Sequence, residues 1–459
     1  MRRVTAFVFA LALPMAASAE PSTHDRVYTA DQNSNTVSVI DPSTNTLLGQ
    51  IKLGNQRPDV LSPLYKGQVN VHGLGFSPDH KTLIAISTVT NSATFIDTAT
   101  NAVKGIAYIG RNPHEGFFTP DGKEAWIVVR GEDYLAVIDP TTFRETGRIK
   151  TTSGPGMVMF SKDGKLAFVV NSFNPVVEVI DVATRKIIKT IPVVSPFSPF
   201  VQVAPDGREV WLTHKDVGKV TRIDTSSLEV VGVIDSGPIT NHLAFAKSGG
   251  ATLGYVTVGG ENAVKVYTMD KEAKLVKTIP VGALPHGIWP SGDGSRVYVG
   301  LENGDAVDVI DTASNTVIAH ILSGQAPQAL VYVSDAASGS GDPKANLTPR
   351  PDTPENVALK LKAPDGAGAG YIVSRNVGLV DILEIGVRKL KPETAYSLYS
   401  AAAGEAIAIV KTDKAGAGVV SVIGPTRKIR PKAASEEAPT DYWLAEGDDQ
   451  NSKALVLVR

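Results

Sequence analysis

Short runs that alternate apolar and polar residues recur along the chain, rich in valine and isoleucine. TVSVID ending at Asp41, YLAVID ending at Asp139 and VVEVID ending at Asp181 are examples. A period of two marks half-buried β-strands, and the 3.6-residue period of amphipathic helices is absent. The residues that close these runs are Asp41, Asp97, Asp139, Asp181, Asp224 and Asp311, with a degenerate copy near Tyr267. After the first interval they stand 42 to 44 residues apart, which makes the chain a repeat protein.

Each repeat supplies four strands. One ends in a turn such as FSPD or FFTPDG, the next reads like TLIAIS or AWIVV, the third ends at the aspartate, and the fourth resembles RKIIKTI. Pro-Asp-Gly, Asp-Pro and Asn-Thr junctions suit tight antiparallel connections. Four antiparallel strands at this period describe a β-propeller blade. The second strand occurs seven times, from Arg26 to Arg296, whereas the last first-strand copy, PQALVYVS, follows every other element. The chain therefore enters on a second strand and leaves on a first strand. Pairing those ends completes a seventh blade and removes the open edges.

NSNTVSVIDPSTNTLL, SNTVIAHILSGQAPQAL and TIPVGALPHGIWPSGDGSRVYVG resemble the YVTN-type (YncE-like) propeller repeat over about Arg26 to Ser334. The resemblance implies the seven-bladed fold. Relatives in that class include exported YncE-like proteins, surface-layer proteins, lactonase-like enzymes and dehydrogenase subunits, so it implies no single chemistry.

Outside the ring the pattern changes. MRRVTAFVFALALPMAASAE has two arginines, a short apolar run and Ala17-Ser18-Ala19, the outline of an export signal cleaved after residue 19. The expected organisation is a signal peptide over 1–19, a propeller over 24–335, a linker over 336–355 and a β-sandwich-like domain over 356–459. Seven short strand-like runs support that last domain, and LKPETAYSLY around Tyr396 is similar to fibronectin-type modules in which a tyrosine ties a loop to a strand. With no cysteine, thiolate metal sites, disulfides and thiol nucleophiles are excluded, and a periplasmic or extracellular location fits. The formal charge of −2 gives no reason to expect a nucleic-acid partner, and no segment is apolar for long enough to span a bilayer.

Aligning the repeats on the aspartates places His72, His114, Gly156, Pro199, His242, His286 and Gln328 at one position, the start of each inner strand. Ring closure puts four of the chain's eight histidines on one side of the channel mouth. They are candidate metal or haem-iron ligands, although a histidine that recurs with the repeat also suits a scaffold role, bonding backbone within its blade. About fourteen extra residues between Asp41 and His72 predict a loop at the same end, bringing Arg57, Asp59, Tyr65 and Lys66 over the mouth. The loops between second and third strands add Arg130, a candidate anion contact, with Glu132, Asp133, His214, Lys215, Asp216, Glu261 and Glu302. No G-x-S-x-G, H-E-x-x-H or phosphate-loop motif is present.

Three functions are open on this reading. The first is a non-enzymatic exported protein that offers its loop-rich face to a protein or envelope ligand. The second is a metal- or haem-type-cofactor-binding propeller, a redox enzyme or cofactor-handling factor, built on the His-lined mouth. The third is a surface-layer component. Sequence names neither the cofactor, nor the ligand, nor the oligomeric state.

Overall fold

The computed structural model describes residues 21–54, 67–338, 341–351, 356–376, 381–401, 403–424 and 442–458. The export signal and the loop bearing Arg57, Asp59, Tyr65 and Lys66 lie outside them.

Seven four-stranded antiparallel sheets stand around one axis. Blade 1 joins Pro327–Val333, as inner strand, to Arg26–Asp31, Thr36–Asp41 and Thr46–Lys52, so the ring closes with strands from both ends of the repeat region. Blades 2 to 7 begin on the inner strands Val71–Phe76, Pro113–Phe118, Pro155–Phe160, Val201–Val203, Thr240–Ser248 and Pro285–Pro290. Val27 faces Tyr332 and Tyr28 faces Val331 across the closing pair, and the Tyr332 hydroxyl donates to Asp25.

The repeated residues make the repeated turns. Asp41 accepts from the Ser43 amide and hydroxyl at 2.9 and 2.7 Å, and Asp311 holds Ser314 in the same way at 2.8 and 2.7 Å. At the other hairpin, Thr119 and Ser161 donate to Asp121 and Asp163 at 2.7 Å, while Gly122 and Gly164 take φ of 71° and 72°. These aspartates are turn formers, as their place between strands predicts. Opposite each V-I-D run the ladder shifts register between third and outer strands, for example at Val39/Ile40, Val137/Ile138 and Val309/Ile310. Such bulges add twist, which a fan of radial blades requires.

The core lies between blades. Trp126 and Trp211 are fully buried there, each with its indole N–H donated to a glutamate two residues earlier, Glu124 at 2.9 Å and Glu209 at 2.7 Å. Blade 1 also buries a carboxylate: Asp31 accepts from Thr29, Thr36 and Ser38 at 2.7 to 2.9 Å. Loss of water outweighs these bonds and pushes its pKa up to about 7. The folded state therefore holds this proton where the unfolded chain has released it, and the contribution of Asp31 to stability falls as pH rises from its ordinary value toward 7. Asp31→Asn should flatten that part of the stability–pH curve, and denaturation midpoints across the range measure it; an unchanged curve would mean Asp31 is ionised in the fold.

The C-terminal module is also all β. Among the described residues, eight strands form one curled sheet that runs from Ala403–Lys411 through Ala395–Ser400, Tyr442–Glu446, Lys453–Leu457, Asn356–Lys362, Ala369–Asn376 and Asp381–Arg388 to Gly418–Gly424. The two edge strands come together, as a Cβ on Gly418 would lie 2.4 Å from the Lys411 carbonyl, so the module is a nearly closed barrel around Leu361, Ile372, Leu383, Leu398, Leu444 and Leu455. The strand Tyr442–Glu446 raises the number from the seven legible runs to eight. Tyr396 is buried and its hydroxyl accepts the Lys391 amide at 3.1 Å, tying loop to strand.

The segment leading into the module packs on the ring. Thr348 exchanges backbone hydrogen bonds with Gln50 on the outer edge of blade 1, at 2.8 and 2.9 Å, and Leu347 packs against the adjoining core. The module then docks on the loops of blades 6 and 7. Arg388 donates to the Glu261 carbonyl at 2.7 Å and Asn262 to the Tyr371 hydroxyl at 2.9 Å, while Ala417 packs on Ile239 and Leu284. The buried Arg375 of the module reaches Glu384 in its own sheet at 2.6 Å and, on blade 7, Asp305 at 2.7 Å and the Glu302 carbonyl at 2.8 Å. These loops open at the end of the ring where the inner strands begin.

Candidate functional site

The four repeat histidines converge there. Each is the second or third residue of its inner strand, so its side chain projects toward the axis beside those of neighbouring blades. His114 and His72 approach with ring centroids 4.4 Å apart, His242 and His286 with centroids 4.6 Å apart, and His72 and His286 at 6.5 Å link the two pairs. His242 also stacks on Phe200 at 4.1 Å. His114, His242 and His286 are buried, whereas His72 reaches solvent in part.

Their bonds run between blades. His114 Nδ1 donates to the Gly156 carbonyl at 2.7 Å, and His286 Nδ1 to the Gln328 carbonyl at 3.2 Å. Both partners stand at the equivalent position of the next blade, so these two histidines staple their blade to its neighbour and do not bond within it. The glycine after the histidine follows from the same closeness: a Cβ on Gly73 would lie 2.1 Å from the His114 carbonyl, and one on Gly287 2.4 Å from that of Gln328.

A carbonyl only accepts, so a neutral His114 carries its proton on Nδ1 and presents a lone pair at Nε2. His72 Nε2 lies 2.8 Å from that lone pair and must donate to it. His72 Nδ1 is then an acceptor 2.7 Å from the place assigned to Gln32 Oε1, so this tautomer requires the Gln32 amide turned end for end, with its N–H₂ toward the ring. The alternative, a charged His72, is disfavoured first by burial and then by Arg130 and Lys215, which lower its pKa to about 3. Burial likewise drives His114, His242 and His286 well below the usual histidine range. The mouth is thus lined by neutral imidazoles, which can bind a metal without losing a proton.

Glu115, which the sequence reading does not single out, and Lys215, one of its loop candidates, complete the site. Glu115 follows His114 where blades 2 and 7 have glycine, and the ligating atoms of His72, His114 and Glu115 lie within 4.8 Å of one another. Burial raises the pKa of Glu115 well above the usual carboxylate range, against the opposing effects of the Leu74 amide and Arg130. Lys215, half-buried on blade 5, is lowered by burial, while Glu302 works to raise it. Arg130 lies half-buried with its guanidinium 5.8 Å from the Phe197 ring centre, and its buried Nε has no hydrogen-bond partner among the described residues.

Most other loop candidates are structural. Glu132 accepts the Arg111 amide at 2.8 Å, Asp133 pairs with Lys150, Asp216 accepts from Ser195, and Glu261 pairs with Lys265 at 2.8 Å. His214 is buried between Ser198 and Thr221 at 3.0 and 2.7 Å, and burial lowers its pKa to about 4. Glu302 differs, for its buried Oε2 has no partner.

Known proteins match this architecture. A family model, Domain of unknown function (DUF5074), matches residues 101–248. Protein NirF of Stutzerimonas stutzeri is 28% identical over 196 residues, covering 39% of this chain and 49% of NirF; the chain thus spans about half the length of that curated relative. Among solved structures, the periplasmic gluconolactonase PpgL of Pseudomonas aeruginosa aligns with a TM-score of 0.55 at 17% identity, over 68% of this chain and 99% of its own. The dihydro-heme d1 dehydrogenase NirN in complex with DHE aligns at 0.51 and 14% identity, over 88% of this chain and 76% of its own. The chain is consistent with a YVTN-type propeller. The two structural likenesses are of fold. Among the described residues, no helix is long and apolar enough to cross a membrane.

Proposed function

We propose that the protein is an exported, non-catalytic binding propeller that holds an anionic tetrapyrrole over its His-lined mouth. The observation that carries this reading is the meeting of neutral imidazoles with a buried, partnerless Arg130 Nε at one end of the channel. The rings pack too closely for a planar macrocycle to enter between them, so the ligand would lie against His72, the ring that reaches solvent. His72 would contact the central metal through Nε2, giving up its bond to His114 and carrying its proton on Nδ1 toward Gln32, and Arg130 and Lys215 would take the carboxylates, replacing the water lost on burial. The metal, when bound, supplies any redox chemistry. NirN, a fold neighbour whose structure is in complex with DHE, supports the reading by analogy alone.

Titration of the mature protein with ferric haem should give a saturable absorption change. His72→Ala should remove the histidine-ligated spectral form, and Arg130→Leu should weaken affinity about tenfold, the effect of one charge-assisted contact. A spectrum that matches free haem, or one indifferent to His72→Ala, would overturn the assignment.

A second observation favours a protein or envelope partner in addition. The outer strands of blades 4 to 7 expose apolar residues in succession, including Ile188, Val231, Leu275, Val276 and Ile318. Blade 2 also exposes Val103 and Tyr108 on its outer strand, and apolar exposure repeated around the rim supports a contact surface. Lysine or glutamate at Val231 and Val276 should abolish crosslinks to the partner in intact cells while leaving haem titration unchanged.

A further inference from the structure

The seam that closes the ring contains a cavity distinct from the His-lined mouth. It has a volume of about 220 Å³ and is walled by Ser34, Thr36 and Lys52 of blade 1, by the Ser323–Gln325 loop from blade 7, and by Thr348–Pro351 of the segment entering the module. Gln325 lines it with a side chain that is only 5% exposed, yet among the described residues neither its amide nitrogen nor its amide oxygen has a hydrogen-bond partner. The backbone of Gln325 is fully used, its N–H donating to the Ser34 hydroxyl at 2.9 Å and its carbonyl accepting from the Asn33 amide at 3.1 Å.

A buried carboxamide with both ends unmet is a costly feature unless something else meets it. The scaffold does not ask for it. At the same distance before the inner-strand position the other blades carry Val69, Arg111, Ser153, Pro196, Ile239 and Ala283, so no repeat requirement places an amide here. The charges around the cavity are also biased. Lys52 stands on its rim, and Arg350 is fixed in its wall by donating through Nε to the Ser323 carbonyl at 2.6 Å. The carboxylate lining it, Asp305, is committed to Arg375 at 2.7 Å.

We infer that this seam pocket binds a small carboxylate that also carries hydroxyl or amino groups. Lys52 and Arg350 attract the carboxylate, and Gln325 reads the second group through its paired donor and acceptor. The volume lies below the range of about 300–1,000 Å³ usual for drug-sized ligands, which restricts the occupant to a small metabolite and excludes a tetrapyrrole. Because blade 1, blade 7 and the module's entry segment all contribute walls, occupancy would also tighten the ring closure.

The test is calorimetric titration of the full mature protein with malate, gluconate and glutamate separately, with propionate as a carboxylate lacking the second group. At least one of the three should bind, propionate should bind at least about tenfold more weakly, and both Lys52→Met and Gln325→Leu should weaken binding by about tenfold or more. Lys52 is exposed, so its replacement leaves the fold intact even where Gln325→Leu disturbs the loop. No binding of any of the three at millimolar concentration, or binding unaffected by Lys52→Met, would overturn the assignment. Haem titration of the same variants should be unchanged, which separates this pocket from the His-lined mouth.

Discussion

Arg375→Met is expected to cost about 3–5 kcal/mol and to release the C-terminal module from the ring, because it leaves Asp305 and Glu384 facing each other without their cation. The guanidinium is fully buried, spans both bodies and holds three acceptors at 2.6 to 2.8 Å. Removing one partner of such a network is worse than removing all of it, since the remaining charges stay buried and uncompensated. Combining Arg375→Met with Asp305→Asn and Glu384→Gln should therefore recover most of the loss. Thermal melts and limited proteolysis of the single and triple variants measure this; a single variant as stable and protease-resistant as the parent would show that the module is held by other contacts.

Acidification is expected to have an effect of comparable size. His72, His114, His214, His242 and His286 all have folded-state pKa values below the ordinary histidine value, chiefly through burial. Between the folded and unfolded values the unfolded chain binds more protons, so stability is full above the unfolded pKa and is lost as pH falls toward the folded one. Within that window each group contributes a slope of about 1.4 kcal/mol per pH unit. Asp31, Glu115 and Glu384 are raised and act in the opposite sense, three against five, so the net direction is acid destabilisation. Denaturant midpoints should fall markedly between about pH 7 and about pH 5. A midpoint that stays level across that interval would mean that the imidazoles are charged or exposed in the fold.

The blades were legible because a repeat writes the same nearest-neighbour contacts seven times. The V-I-D aspartates and the Pro-Asp-Gly turns occupy fixed positions whose hydrogen bonds are local, and ring closure follows from where the chain starts and stops within its period. The inner-strand histidines were legible for the same reason, although their bonds turned out to run from blade to blade. Contacts that occur once leave no period. Arg375 sits in YIVSRN, an ordinary alternating strand, and nothing in that run announces that its guanidinium crosses to Asp305. Glu115 enters the site only because the neighbouring blade brings His72 beside it. The 341–351 segment has the composition of a free linker, yet its backbone pairs with blade 1, since an outer strand edge offers unpaired N–H and C=O groups to any extended chain beside it.

Visible absorption and metal analysis of mature protein isolated from the envelope of its own host test tetrapyrrole binding at the His-lined mouth without added ligand. The expected result is a tetrapyrrole band with near-stoichiometric metal, retained through mild purification and absent from the His72→Ala variant prepared identically. A colourless, metal-free protein that also fails to take up a tetrapyrrole added to it would contradict the claim and leave the four histidines as staples between blades.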